Sequence, residues 1–134
     1  MILVDTGPLV ALLHADDSNH ESCRDALRSI REPLATVWPV VTEAMYLLAF
    51  SWKAQNALWE MIEGELVSLL PLEAADASRM KVLMLKYRDL PMDFADAALV
   101  RVAEREKLRR IFTVDRRDFE LYRPLGMRRF TLIP

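Results

Sequence analysis

Short apolar runs alternate along this chain with longer stretches in which apolar residues recur every three or four positions. The short runs are residues 2–4, 34–38, 67–70, 110–114 and 130–133. They are apolar on both faces, as strands of a buried parallel sheet are. The longer stretches predict helices. In 19–30, Cys23, Ala26, Leu27 and Ile30 share one face. Ala54, Ala57, Leu58, Met61 and Ile62 form a stripe at helical spacing, and 77–87 carries Met80, Leu83, Met84 and Tyr87. Helices at 40–50 and 94–103 have almost no polar face, which predicts burial on most sides. A further helix begins near Pro8, and a short one is expected at 116–122. Strands that alternate with crossover helices predict a three-layer α/β domain, a central parallel sheet flanked by helices.

The 134 residues suit one domain spanning 1–134. No repeat, low-complexity segment or Pro/Gly/Ser-rich stretch divides them. Cys23 is the only cysteine, so no internal disulfide forms, and a reducing cytoplasm is the expected compartment. The first ten residues lack a basic start and carry Asp5 within the apolar run, so they predict a folded strand and not a secretory leader. No apolar run is long enough to span a bilayer, and no membrane partner is expected.

Charge becomes informative through its distribution. The formal net charge is −2, but residues 101–134 hold ten of the 18 Lys+Arg and only five of the 20 Asp+Glu. One reading of this basic segment is solvated helix faces and helix C-termini. The other is a rim that pairs with phosphates, with Arg109, Arg110, Arg116 and Arg117 as the candidates for a polyanion's backbone.

Five acids sit where charge is costly. Asp5 directly follows Ile2-Leu3-Val4, and Asp115 follows Ile111-Phe112-Thr113-Val114. Both are therefore expected at carboxyl ends of strands, where open parallel sheets bind ligands. Glu43 and Asp96 are expected to open the two nearly all-apolar helices, and Asp93 stands three residues before Asp96. Each acid has a structural alternative as a helix cap or a dipole partner, strongest for Asp93. Carboxylates gathered at one crevice stay ionised only beside a cation. An all-oxygen site suits Mg²⁺ or Mn²⁺ rather than zinc, and such ions organise phosphoryl chemistry.

The segments VDTGPLVALL (4–13), VVTEAMYLL (40–48), LPMDFADAALV (90–100) and FTVDRRDF (112–119) together resemble the PIN-domain ribonucleases, especially the toxin subunits of VapBC-type pairs. The resemblance implies a PIN-like fold and Mg²⁺- or Mn²⁺-dependent endonucleolytic cleavage of RNA. It makes Asp5, Glu43, Asp96 and Asp115 the acidic set, with Asp5 and Asp96 as the most direct metal ligands. It places Thr6 and Thr113 as small hydroxyl residues beside the first and fourth acids, and leaves Asp93 open between ligand and cap. It also implies a homodimer and a small inhibiting antitoxin. Trp52 and Trp59, which flank an amphipathic helix, mark either an apolar partner face or ordinary half-buried tryptophans.

Rival readings fare less well. A haloacid-dehalogenase-type phosphatase needs a second aspartate two residues after the first, where this chain has Gly7. A phosphorelay receiver needs an acid and then a lysine after the middle strand, which here runs into Pro71-Leu72-Glu73. A PIN-like binding module without catalysis predicts missing acids, and all four are present.

Overall fold

The computed structural model describes residues 1–134. Five three-residue strands, β1 (Ile2–Val4), β2 (Leu34–Thr36), β3 (Val67–Leu69), β4 (Arg110–Phe112) and β5 (Thr131–Ile133), form one sheet in the order β3-β2-β1-β4-β5. Every pairing is parallel. Seven helices flank it: α1 (Thr6–Leu13), α2 (His20–Ser29), α3 (Trp38–Leu47), α4 (Trp52–Glu63), α5 (Ala77–Lys86), α6 (Phe94–Glu106) and α7 (Arg116–Leu121). This is the α/β architecture that the alternating pattern predicts. No helix is long and apolar enough to cross a membrane.

The central strand explains why its sequence has no polar face. Ile2, Leu3 and Val4 are all buried, because helices cover both sides of β1 and strands cover both edges. Strand order runs outward in opposite directions from β1 and β4, so the sheet has a topological switch point between them. A crevice opens there at the carboxyl ends of the strands. Asp5 N–H donates to Phe112 O at 2.9 Å, which pins the two strand ends that frame the crevice. On the other side of β1, the buried Thr36 hydroxyl donates to Val4 O at 2.7 Å.

One expectation fails in an informative way. The apolar helix expected at 40–50 starts earlier and ends earlier, with Pro39 in its first turn, where proline lacks no hydrogen bond. It is not buried on most sides. Val40, Val41 and Ala44 face the core, while Tyr46 is 79% exposed and Phe50, just beyond the helix, 62%. Trp38 and Trp52 are likewise exposed, and Trp59 stands at 37%, its ring 6.3 Å from that of Trp38. α6 meets the expectation better, with seven of its residues buried and only Phe94 standing out at its start.

Gly7 marks a close approach behind the crevice. A Cβ there would lie 2.4 Å from Cγ2 of Val114, and valine is stiff at χ1. Gly7→Ala is expected to cost about 1–3 kcal/mol, the usual penalty for overpacking. It should also push Val114, and with it Asp115, out of place. A melting temperature equal to that of the parent chain would show that Val114 yields freely.

Candidate metal centre

Each acid reaches the crevice by a different local device. Asp5 ends β1 and also caps α1, accepting from Thr6 N at 2.8 Å. Its other oxygen accepts from the Thr113 hydroxyl at 2.8 Å. That hydroxyl in turn accepts from Asp115 N at 3.0 Å. Thr113 thus ties the first acid to the backbone of the fourth. Asp93 caps α6 by accepting from Asp96 N at 2.8 Å, which leaves Asp96 in the first turn. Asp115 caps α7 by accepting from Asp118 N at 3.2 Å. Glu43 does not open its helix as expected. It lies past the middle of α3, and the packing of α3 against α6 carries it to the crevice.

The result is one cleft of about 290 Å³ lined by Asp5, Thr6, Gly7, Glu43, Asp93, Asp96, Asp115 and Asp118, closed by Leu47, Pro91 and Val114. All five acids singled out in the sequence meet here with Thr6, while Thr113 does not line the cleft and touches it through its bonds to Asp5 and Asp115. Asp96, Asp115 and Asp118 each place an oxygen within 4.8 Å of the other two. A larger hollow of about 650 Å³, walled by Trp38, Tyr46 and Phe94, shares Glu43 and Asp93 with the cleft.

Two participants escaped the sequence reading. Asp118 follows Asp115 by three residues, one turn of helix, and that spacing was the available signal. Tyr122 donates its hydroxyl to Asp96 Oδ2 at 2.7 Å. It is fully buried and packs edge-on against Tyr87 and Phe119. Nothing local announces a contact between residues 26 apart.

The electrostatics follow from burial. Asp5 is pushed up to about 6, first by loss of water and then by the charges of Glu43 and Asp115; the Thr113 and Thr6 hydrogen bonds oppose the rise. Asp96 is pushed up to about 8 by burial and by Asp5, with Asp93 and Asp115 adding to it and Tyr122 opposing. Glu43 is raised by burial and by Asp93, although Thr6 opposes. Asp118 is raised by burial and by Asp115, while Arg117 draws it down. The Tyr122 hydroxyl is held far above its ordinary value by burial and by Asp96, so it serves Asp96 as a donor.

These residues fit a hard divalent cation. Every donor in the cleft is oxygen, and more negative charge converges than the site can hold ionised alone. Thr6 Oγ1 is buried without a hydrogen bond of good geometry, an orphaned polar atom at the cleft wall. Neither histidine lines the cleft: His20 bonds to Ala11 O at 2.6 Å, and His14 packs against Phe50. Cys23 is buried elsewhere and unpaired.

Tyr122→Phe tests how tightly Asp96 is held. Loss of a partner one step removed from a metal typically costs ~10–100-fold in affinity or activity. That drop is expected for metal affinity, with the fold retained because the aromatic packing is kept. Unchanged metal affinity would reduce Tyr122 to a core residue.

The arginines divide. Arg101 and Arg105 do not join a phosphate-facing rim, because both pair at 2.7 Å with the buried Asp76 and fasten α6 to the turn before α5. Arg110 pairs with Glu32, and Arg109 precedes it, so both stand at the amino edge of the sheet, opposite the acids. Arg116 bonds to Pro134 O and lies 3.5 Å from Glu120. Only Arg117 of the four candidates is without an ion pair and felt in the cleft, through Asp118.

Residues 2–123 match the PIN domain family. Over 135 aligned residues the chain is 33% identical to Ribonuclease VapC26 of Mycobacterium tuberculosis, covering 99% of this chain and all of that protein. Its fold is similar to that of Mycobacterium tuberculosis VapC20, described as a sarcin–ricin loop cleaving toxin. The TM-score is 0.76 at 19% identity, over 83% of this chain and 87% of that one. A toxin–antitoxin complex from Klebsiella pneumoniae is similar with a TM-score of 0.68 at 18% identity, over 95% of this chain and 100% of that one.

Proposed function

This chain belongs to the PIN domain family, and from that premise we propose that it is an endoribonuclease acting on RNA with Mg²⁺ or Mn²⁺, the toxin of a toxin–antitoxin pair. The observation that carries the reading is the convergence of Asp5, Glu43, Asp93, Asp96, Asp115 and Asp118 on one cleft at the switch point of the sheet. Asp5 and Asp96 are the main metal ligands, with Asp115 and Asp118 beside them and Asp93 both a cap and a candidate ligand. When bound, the ion supplies stabilisation for charge that builds on phosphate oxygens and acidifies the attacking water.

The chain's own residues supply the rest. Thr113 and Tyr122 fix one oxygen each of Asp5 and Asp96, so the ligands are aimed before any ion arrives. Glu43 stands across the cleft with a raised pKa and is placed to orient water or accept its proton. Arg117 stands beside Asp118 for a phosphate of the RNA. The likeness to a ribonuclease and to a toxin–antitoxin complex supports an RNA substrate and an antitoxin partner. The exposed Tyr46, Phe50, Trp52 and Trp59 support a homodimer. A reducing cytoplasm accords with the free Cys23 thiol.

The deciding experiment is cleavage of RNA during titration with Mg²⁺ and Mn²⁺, and again after chelation. Cleavage should appear with metal and vanish without it. Binding of RNA with no cleavage at any metal concentration would instead support a non-catalytic binding module. In the same assay Asp93→Asn should be mild, since asparagine caps a helix about as well as aspartate. A loss as deep as that of Asp96→Asn would make Asp93 a ligand.

A further inference from the structure

Four arginines gather around one hollow at the amino edge of the sheet. Arg109 immediately precedes β4, Arg123 follows α7, and Arg128 and Arg129 lead into β5. Together with Met127 and Phe130 they line a space of about 520 Å³ that contains no acid. The backbone bond from Thr131 N to Arg109 O, 2.9 Å, holds two of these segments side by side. Arg123 is steadied by the carbonyls of Glu120 and Tyr122, at 2.6 and 3.1 Å.

This grouping stands apart from the rest of the surface. Seven of the 14 arginines form ion pairs with carboxylates: Arg24, Arg28, Arg79, Arg101, Arg105, Arg110 and Arg116. Of the seven that do not, four are in this hollow. Like charges brought together without counter-charges repel, and an anion in the hollow would relieve that repulsion. Guanidinium forks match phosphate oxygens in pairs, so several of them around one hollow suit a phosphodiester chain.

The catalytic cleft supplies the second half of the case. Six carboxylates line it, and the whole chain carries a formal net charge of −2. A polyanion approaching that cleft meets repulsion that a metal only partly offsets. Beside the cleft Arg117 offers one unpaired positive charge, and four of the other six unpaired arginines are gathered at the opposite edge. From Arg109 to Asp115 the chain advances six residues, three of them in β4, a span of at most ~20 Å. RNA that feels both places has to reach that far.

We infer that the Arg109, Arg123, Arg128 and Arg129 hollow anchors the phosphate backbone of RNA at a point remote from the bond that is cut. The inference rests on the nuclease reading above. It makes long or folded RNA the substrate class and short oligonucleotides poor substrates. The anchor acts on binding, while the acids act on chemistry.

The test compares the parent chain with Arg109→Gln/Arg128→Gln/Arg129→Gln on two substrates. One is a long folded RNA, the other a single-stranded oligonucleotide too short to reach from the cleft to the hollow. All three positions are exposed, and unchanged kcat on the short substrate verifies the fold. On the long RNA, KM should rise by roughly tenfold at ~0.1 M salt with kcat retained. The slope of log affinity against log salt should flatten by about 0.7–0.9 for each phosphate contact removed. On the short substrate nothing should change. Equal KM and equal salt slope on the long RNA would overturn the anchor. So would intact RNA kinetics together with lost affinity for an acidic protein partner, because the hollow would then belong to that partner. If the parent cuts neither substrate, it is the nuclease reading that fails. Binding of the uncut long RNA then decides the anchor alone, and equal affinity of parent and variant overturns it.

Discussion

Asp5→Asn should abolish most RNA cleavage, by ~10²-fold or more, while leaving the metal-free protein at least as stable as the parent. The substitution removes one negative charge with almost no change in shape. The remaining carbonyl oxygen can still accept from Thr6 N, as Oδ1 does now at 2.8 Å. The Thr113 hydroxyl, which now donates to Oδ2, has a free lone pair with which to accept from the new amide. Packing and hydrogen bonding therefore survive. What is lost is a metal ligand, and what is relieved is repulsion from Glu43 and Asp115. The melting temperature without metal should hold or rise, and its increase on adding Mg²⁺ should shrink. Full activity in this variant would end the proposal of a metal centre. A large loss of stability without metal would show that Asp5 is chiefly a structural cap.

The second large effect is in the pH dependence of stability. Asp5 and Asp96 hold their protons up to about 6 and about 8 in the folded chain, against an ordinary aspartate value near 4. The unfolded chain gives those protons up first. Their contribution to stability is thus complete below about pH 4 and disappears as pH rises through 6 and then 8. For Asp5 alone that is on the order of 3 kcal/mol. Asp76 works in the opposite direction. Burial raises it, but Glu73 N–H, Arg101 and Arg105 outweigh burial and hold it below its ordinary value. Its stabilisation is present above the ordinary aspartate range and is lost as pH falls through its lowered value. The metal-free protein should therefore be most stable in mildly acidic solution and should weaken toward pH 8. Divalent metal should reverse the alkaline decline, raising the melting temperature more at pH 8 than at pH 5. A rise of equal size at both pH values would mean that the ion binds away from Asp5 and Asp96.

Much of this arrangement was legible in the residues. A strand apolar on both faces and followed at once by an acid leaves few interpretations, and Asp5 and Asp115 occupy the strand ends that this pattern predicts. Asp93 caps α6, as its place before an apolar helix suggests. Other features depend on packing that no local pattern records. Glu43 was expected at a helix start because the apolar run begins at Val40, whereas the helix begins two residues earlier, at an exposed tryptophan. The apolar face of α3 suggested burial, but apolar character also suits a surface awaiting a partner. Arg110 and Asp115 are close in sequence, yet a strand running between them separates them to opposite edges of the sheet. Tyr122, the residue that follows α7, reaches Asp96 in the first turn of α6 across 26 positions of sequence, a contact set by the whole topology.

The bond between Thr113 and Asp5 joins residues 108 apart. It has a consequence for the chain while it is being made. β1 is synthesised first but lies at the centre of the sheet, and one of its two neighbours is β4. Until residues 110–118 have emerged from the ribosome, Asp5 has neither its hydroxyl partner nor the acids of α7 beside it. At ~5–20 residues per second, the nascent chain spends several seconds with its first acid exposed and its cleft unbuilt. On the nuclease reading, a partial product of translation lacks Asp115 and Asp118 beside Asp5 and does not cut RNA.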